Sequence, residues 1–194
     1  MDGKEQEYIS KRSSWGLNAA NFFQAEMVGV VLPVLSVFLK ESRWRYDSIG
    51  IATAAAGLGT LLCQTPAGFL IDKFRQRRFM FAIMAVVTGL SFAAIPAISD
   101  SPLWVDSLLF VSGAAQSFFV PLLGALALAL VGHKHLNRTM GTNQGWNHTG
   151  NIVSAGVAMA LVSSFGVKSV FYAVGCSSLL AAASVLLIRE QDLD

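Results

Sequence analysis

Residues Gly68 to Phe81 read GFLIDKFRQRRFMF, with five charges packed between Asp72 and Arg78 and an apolar run on either side. The rest of the chain makes that density unusual. Of its 194 residues 54% are hydrophobic and only 13% are charged, against roughly 25% charged in soluble domains. So few charges cannot cover a water-facing surface, and lipid must solvate part of the protein. The charged stretch then reads as a short connector between two membrane-crossing helices. A formal charge of +2 with no aromatic-basic stripe argues against nucleic acid as a partner. Cys63 and Cys176 both sit inside apolar runs and read as small packing residues.

A bilayer core of about 30 Å takes roughly 20 apolar residues as a helix. Six segments reach that length, at about 15–39, 47–71, 78–98, 103–132, 143–165 and 168–188. The expectation is an all-α membrane protein with a tail at 1–14, a six-helix transmembrane bundle at 15–188 and a second tail at 189–194. Trp15, Trp104 and Trp146 lie near segment starts and Trp44 lies in the first connector, as an interfacial aromatic belt requires. With the N-terminus inside, ten of the fourteen Lys and Arg residues fall on the inner side. That bias places both termini in the cytoplasm and the chain in the plasma (inner) membrane. Residues 31–36, VLPVLS, resemble residues 119–124, FVPLLG, at an offset of 88. Such an echo fits two inverted three-helix repeats.

Polar residues inside these segments are the candidate site. Glu26 lies about 16 Å beyond Trp15 along a helix, near the bilayer midplane. An ionised carboxylate there costs on the order of 2.5–3.5 kcal/mol unless it faces a cavity, a partner or a proton. Asn18, Asn21, Ala25, Glu26, Gly29, Pro33 and Ser36 share one arc of the first segment. In the fifth segment Asn143, Asn147 and Asn151 recur every four residues, beside His148. The expectation is a substrate or proton site in which Glu26 meets His148 or Asn151, with structural hydrogen bonding between helices as the alternative. Gln64 and Gln116 are further cavity candidates. Asp106, placed in the first turn of the fourth segment after Pro102, reads as a carboxylate stabilised by the helix N-terminus. No metal-ligand spacing occurs and nothing suggests a cofactor. With no Gly-x-Ser-x-Gly and one shallow intramembrane histidine, an intramembrane serine hydrolase is disfavoured.

Between the second and third segments the sequence resembles the major facilitator superfamily of transporters, whose signature there runs Gly-x-Leu-x-Asp-Arg-x-Gly-Arg-Arg. Gly68, Leu70 and Asp72 match, Lys73 replaces an arginine, and Arg77 matches the last basic position. Arg75 stands where the family has glycine and Gln76 where it has arginine. Asn21-Phe22-Phe23 before Glu26, Gln64 to Gly68, and Gly141 to Asn151 look like a drug- or metabolite-type subgroup. The fourth segment lacks the arginine, and the fifth the Gly-Pro pair, found in some proton-linked and antiport members. The resemblance implies one half of a two-half transporter that moves a small solute by alternating access, with ion or proton linkage. It assigns Gly68, Asp72, Lys73 and Arg77 to a gating loop, and Gly68 to a close helix approach. It also implies a second six-helix half, either another copy or another chain. The alternative is a membrane scaffold or regulatory half that transports nothing.

Overall fold

The computed structural model describes residues 10–193, and every regular element among them is helical. The helices are α1 (Lys11–Gly29), α2 (Val31–Glu41), α3 (Tyr46–Lys73), α4 (Arg77–Ile98), α5 (Pro102–Gln116), α6 (Phe119–Phe165) and α7 (Lys168–Leu186), followed by a 3₁₀ turn at Glu190–Asp192. Among the described residues, five helical stretches are long and apolar enough to cross a bilayer: Lys11–Glu41, Tyr46–Lys73, Arg77–Ile98, Pro102–Phe165 and Lys168–Leu186. Residues 1–9 of the expected tail, with Lys4, and Asp194 lie outside the described residues.

Two boundaries differ from the sequence expectation. The first segment is not one rod but α1 and α2, broken at Val30 (φ −102°, ψ −15°). Pro33 has no N–H to return to the Gly29 carbonyl, so the ladder loses a bond at that turn. The expected polar connector at 133–142 is helical as well. Only Gly132 departs from helical geometry inside α6, at φ 64° and ψ 178°, a backbone that glycine adopts without steric cost. Polar side chains there do not end the helix, because a helix satisfies its own backbone hydrogen bonds in water as well as in membrane.

Helix packing runs through close backbone approaches, as expected where small residues replace the hydrophobic effect as the drive to associate. Gly59 of α3 lies against the Phe110 carbonyl and the Ala114 amide of α5, and Gly113 of α5 lies against the backbone of Ala56. Thr60 ties the same pair, its hydroxyl donating to the Gly113 carbonyl at 3.0 Å. Gly89 of α4 meets Ser178 of α7, Gly16 of α1 meets the Ser184 carbonyl of α7, and Gly150 of α6 meets the Phe22 carbonyl of α1. Phe38 stacks obliquely on Phe171 at 5.0 Å and Phe81 on Phe119 at 5.3 Å.

Trp15 and Trp104 are 62% and 64% exposed, as belt residues should be. Trp44 is not a belt residue. It is 8% exposed, and its indole donates to the Ser99 carbonyl at 2.8 Å, pinning the α2–α3 connector to the α4–α5 connector.

Candidate functional site

The site begins at the N-terminus of α1. Ser10 caps that helix, accepting the Ser13 amide at 3.2 Å, and so satisfies one of the helix's orphan donors. α1 then runs beside the second part of α6 in parallel register. Trp15 meets Trp146 edge-on at 5.7 Å, Gln24 accepts from Asn147 at 3.0 Å, and Gly29 lies against Asn151 and Ser154. Asn151 also donates to the Asn147 carbonyl at 3.1 Å. The four-residue spacing of these asparagines therefore builds an amide seam between the two helices. Asn143, at the lower end of this ladder, is 3% exposed, and neither of its amide atoms has a partner among the described residues.

Glu26 does not join the seam. It lies in the wedge between α6 and α7 and accepts the Ser177 hydroxyl of α7 at 3.2 Å. A pocket of about 20 Å³ opens beside it, lined by Val30, Ser154 and aliphatic side chains of α6 and α7. The expected pairing with His148 or Asn151 is thus replaced. His148 is exposed, and Asn151 is engaged with Asn147. The wheel arc of α1 splits: Asn21 is buried and donates to the Leu17 carbonyl of its own helix at 2.9 Å, while Asn18 is half-buried one turn earlier. Gln116 is half-buried at the last residue of α5, and Gln64 is exposed on α3. Asp106 sits in the second turn of α5 rather than the first, with one carboxylate oxygen buried and unpartnered among the described residues.

In the charged connector, Asp72 and Lys73 are exposed. A Cβ at Gly68 would meet nothing within 4 Å, so the expected close approach is not made within this chain. Gly50 and Gly57 of α3 are equally open, as are Gly145 and Gly156 of α6. Arg77 reaches the Ala125 carbonyl at 3.4 Å.

Arg78, counted above only as loop charge, is 12% exposed in its side chain. It donates to the Ile188 carbonyl and pairs with Glu190 at 3.1 Å, joining α4 to the end of α7. A second clasp closes on α1. The hydroxyls of Ser10 and Ser13 both donate to one oxygen of Asp192, at 2.6 and 2.5 Å, and Ser13 accepts the Arg189 amide at 2.9 Å. The Ser10 bond, then the Ser13 bond, holds the Asp192 carboxyl below the usual carboxylate range. Only the S-K-R-S pattern of a helix N-cap hinted at this clasp; its partner lies 179 residues away.

The profile described as Major Facilitator Superfamily matches residues 15–193. An uncharacterized MFS-type transporter of Mycobacterium tuberculosis is 31% identical over 188 residues, covering 96% of this chain and 44% of the relative. Multidrug resistance protein MdtG of Dickeya zeae is 28% identical over 167 residues, covering 83% and 38%. Multidrug resistance protein 2 of Bacillus subtilis is 24% identical over 178 residues, covering 90% and 43%. The chain thus spans less than half the length of these relatives.

Proposed function

Because the chain belongs to the major facilitator superfamily, we propose that it is the N-terminal six-helix half of a secondary transporter. In this reading a small solute moves by alternating access, with ion or proton linkage through Glu26. The observation that carries the proposal is a carboxylate at the middle of the bilayer-length stretch Lys11–Glu41, held between helices and beside a pocket, in a chain that matches this family over nearly its whole length. A carboxylate there is costly to keep without a task or a partner.

The six crossings rest on helix direction. The 64-residue stretch Pro102–Phe165 would span about 96 Å as one rod, three times the hydrocarbon core. Its first part runs against α4, with Phe119 on Phe81 and Ala125 near Arg77. α4 runs against α7, with Gly89 on Ser178 and Arg78 on Ile188. α7 runs against α1, with Ser184 on Gly16 and Ser177 on Glu26. α1 runs with the part after Gly132. These pairings support two oppositely directed crossings joined near Gly132.

The inverted repeat finds support at the same offset of 88. α2 begins at Val31 and α6 at Phe119, each after a break and two residues before Pro33 or Pro121. The carbonyls of Phe22 and Phe110, also 88 apart, each face a glycine, Gly150 and Gly59.

The open glycines of α3 and α6 are suited to a second six-helix body, and exposed Asp72 leaves a carboxylate for it. Asn18, Asn21, Asn147, Asn151 and Gln116 would supply polar groups toward the solute. Both termini and the 68–81 connector would lie in the cytoplasm. The names of the multidrug resistance relatives make drug-like organic solutes the first class to try.

The test is ethidium movement in proteoliposomes holding the full chain, with and without an imposed pH gradient. Gradient-dependent movement that Glu26→Gln abolishes supports the proposal. Movement equal to empty vesicles, for ethidium and for a panel of sugars and amino acids, favours the non-transporting scaffold.

A further inference from the structure

At the end of α3 farthest from the charged connector lies a second concavity. It is an open cleft of about 500 Å³ between the end of α2 and the start of α3, lined by Ser36, Val37, Lys40, Glu41 and Tyr46. The four α2 residues share one helix face, since their spacing follows the helical turn, and Tyr46 is the first residue of α3. None of the five lines the Glu26 pocket. The apolar stretch Lys11–Glu41 ends here, so the cleft lies where membrane gives way to water.

The cleft is open to solvent, so chemistry and not size sorts its occupants. The Lys40 ammonium lies over the Tyr46 ring, 3.8 Å from its centroid. The face of an aromatic ring carries negative potential and holds cations. Glu41 is exposed and makes no hydrogen bond or ion pair among the described residues. Ser36 donates its hydroxyl proton to the Leu32 carbonyl at 3.3 Å, which leaves it only lone pairs to offer. Ring face, carboxylate and hydroxyl oxygen thus all favour a positive guest, and Val37 adds an exposed apolar wall. The one positive group lining the cleft, Lys40, already occupies the ring.

That lysine is easily displaced. Its ammonium is strongly hydrated and rides on a flexible four-carbon stem. Tyr46 is 75% exposed, which puts the contact at the weak end of cation–π strength. A cation with an apolar body takes the same ring face and also covers Val37 and the rest of the tyrosine, burying surface that the ammonium leaves wet. The neighbouring arginines do not oppose it: Arg45 is paired with Asp47 at 3.2 Å, and Arg43 does not line the cleft.

We infer that the α2–α3 cleft binds an organic cation with an aromatic or alkyl body, seated on Tyr46 beside Glu41, and that Lys40 is a tethered competitor for that seat. As a docking place for a transported solute it rests on the transporter reading; as a binding site it needs neither transport nor Glu26.

The test is equilibrium binding to the purified full chain in non-ionic detergent, with empty micelles subtracted. The probes are tetraphenylphosphonium and the anion of the same shape, tetraphenylborate. Every chain carries Glu26→Gln, so the other membrane carboxylate recruits no cation and a failure of ion linkage leaves this result untouched. Lys40, Glu41 and Tyr46 are exposed, so their substitution spares the core. The expected result is saturable binding of the phosphonium, tighter than that of the borate. Tyr46→Leu and Glu41→Gln each weaken it by about two- to fivefold, and Tyr46→Phe, which keeps the ring, does not. Lys40→Gln tightens it by about two- to fivefold, the share an exposed cation–π competitor takes. That sign is decisive, because a lysine serving an anion site would give the opposite one. The inference is overturned if the phosphonium does not saturate, if the borate binds as tightly, if Tyr46→Leu has no effect, or if Lys40→Gln weakens binding or leaves it unchanged.

Discussion

Alanine at Gly59 tests the α3–α5 packing at a single atom. Its Cβ would press on the Phe110 carbonyl and lie 2.9 Å from the Ala114 amide nitrogen. Both neighbours are backbone, so no rotamer relieves the contact, and the two helices must separate. Overpacking of this kind costs about 1–3 kcal/mol. Gly57, two residues earlier on the same helix, provides the control, since a Cβ there meets nothing within 4 Å. Both substitutions gain the same helix propensity, about 1 kcal/mol, so their difference isolates the contact. For a chain of this size that difference is a gap of roughly 2–12 °C in Tm, with Gly59→Ala the lower. The assay is intrinsic-fluorescence melting of detergent-purified variants. Adding Gly113→Ala to Gly59→Ala should cost less than the sum, because one separation relieves both contacts. Equal melting of the Gly57 and Gly59 variants would refute the register.

At the clasps, Arg78→Gln should destabilise by about 1.5–3 kcal/mol, the scale of a hydrogen bond to a charged group. Glu190→Gln should cost at most about 1 kcal/mol, because that partner is 83% exposed; denaturant melts compare the two. Asp192 makes a pH prediction. Its folded-state pKa is lowered by Ser10 and Ser13, so its contribution is complete above the unfolded carboxylate value and is lost as pH falls through the lower folded value. Asp192→Asn should therefore lower Tm at pH 7 and flatten its decline below pH 4, read from an acid series. Trp44→Phe removes the donor to Ser99 and should cost about 1 kcal/mol or more, visible as a lower Tm.

The oily segments and their ends at α3, α4 and α7 were legible because hydropathy and length respond directly to the bilayer. The break at Val30 had a written signal, Pro33 and the donor it lacks, but apolar continuity masked it. The helical course of 133–142 was hidden for the opposite reason, since polarity reports loss of lipid and not loss of helix. A helical wheel sets the face of Glu26 but not which neighbour occupies that face, so Ser177 was not expected and His148 was. Trp44 and Arg78 look like interface and loop residues in sequence. Their burial comes from segments that approach only in the fold, at Ser99 and Ile188.

The most direct test of the account is side-specific labelling of single cysteines, on a chain with Cys63 and Cys176 replaced by serine, in sealed membranes. Residues 75 and 135 should label from the cytoplasmic side and residues 43 and 166 from the other, since the chain is held to reverse near Gly132. Labelling of 75 and 135 from opposite sides, or of 75 and 43 from the same side, would contradict it.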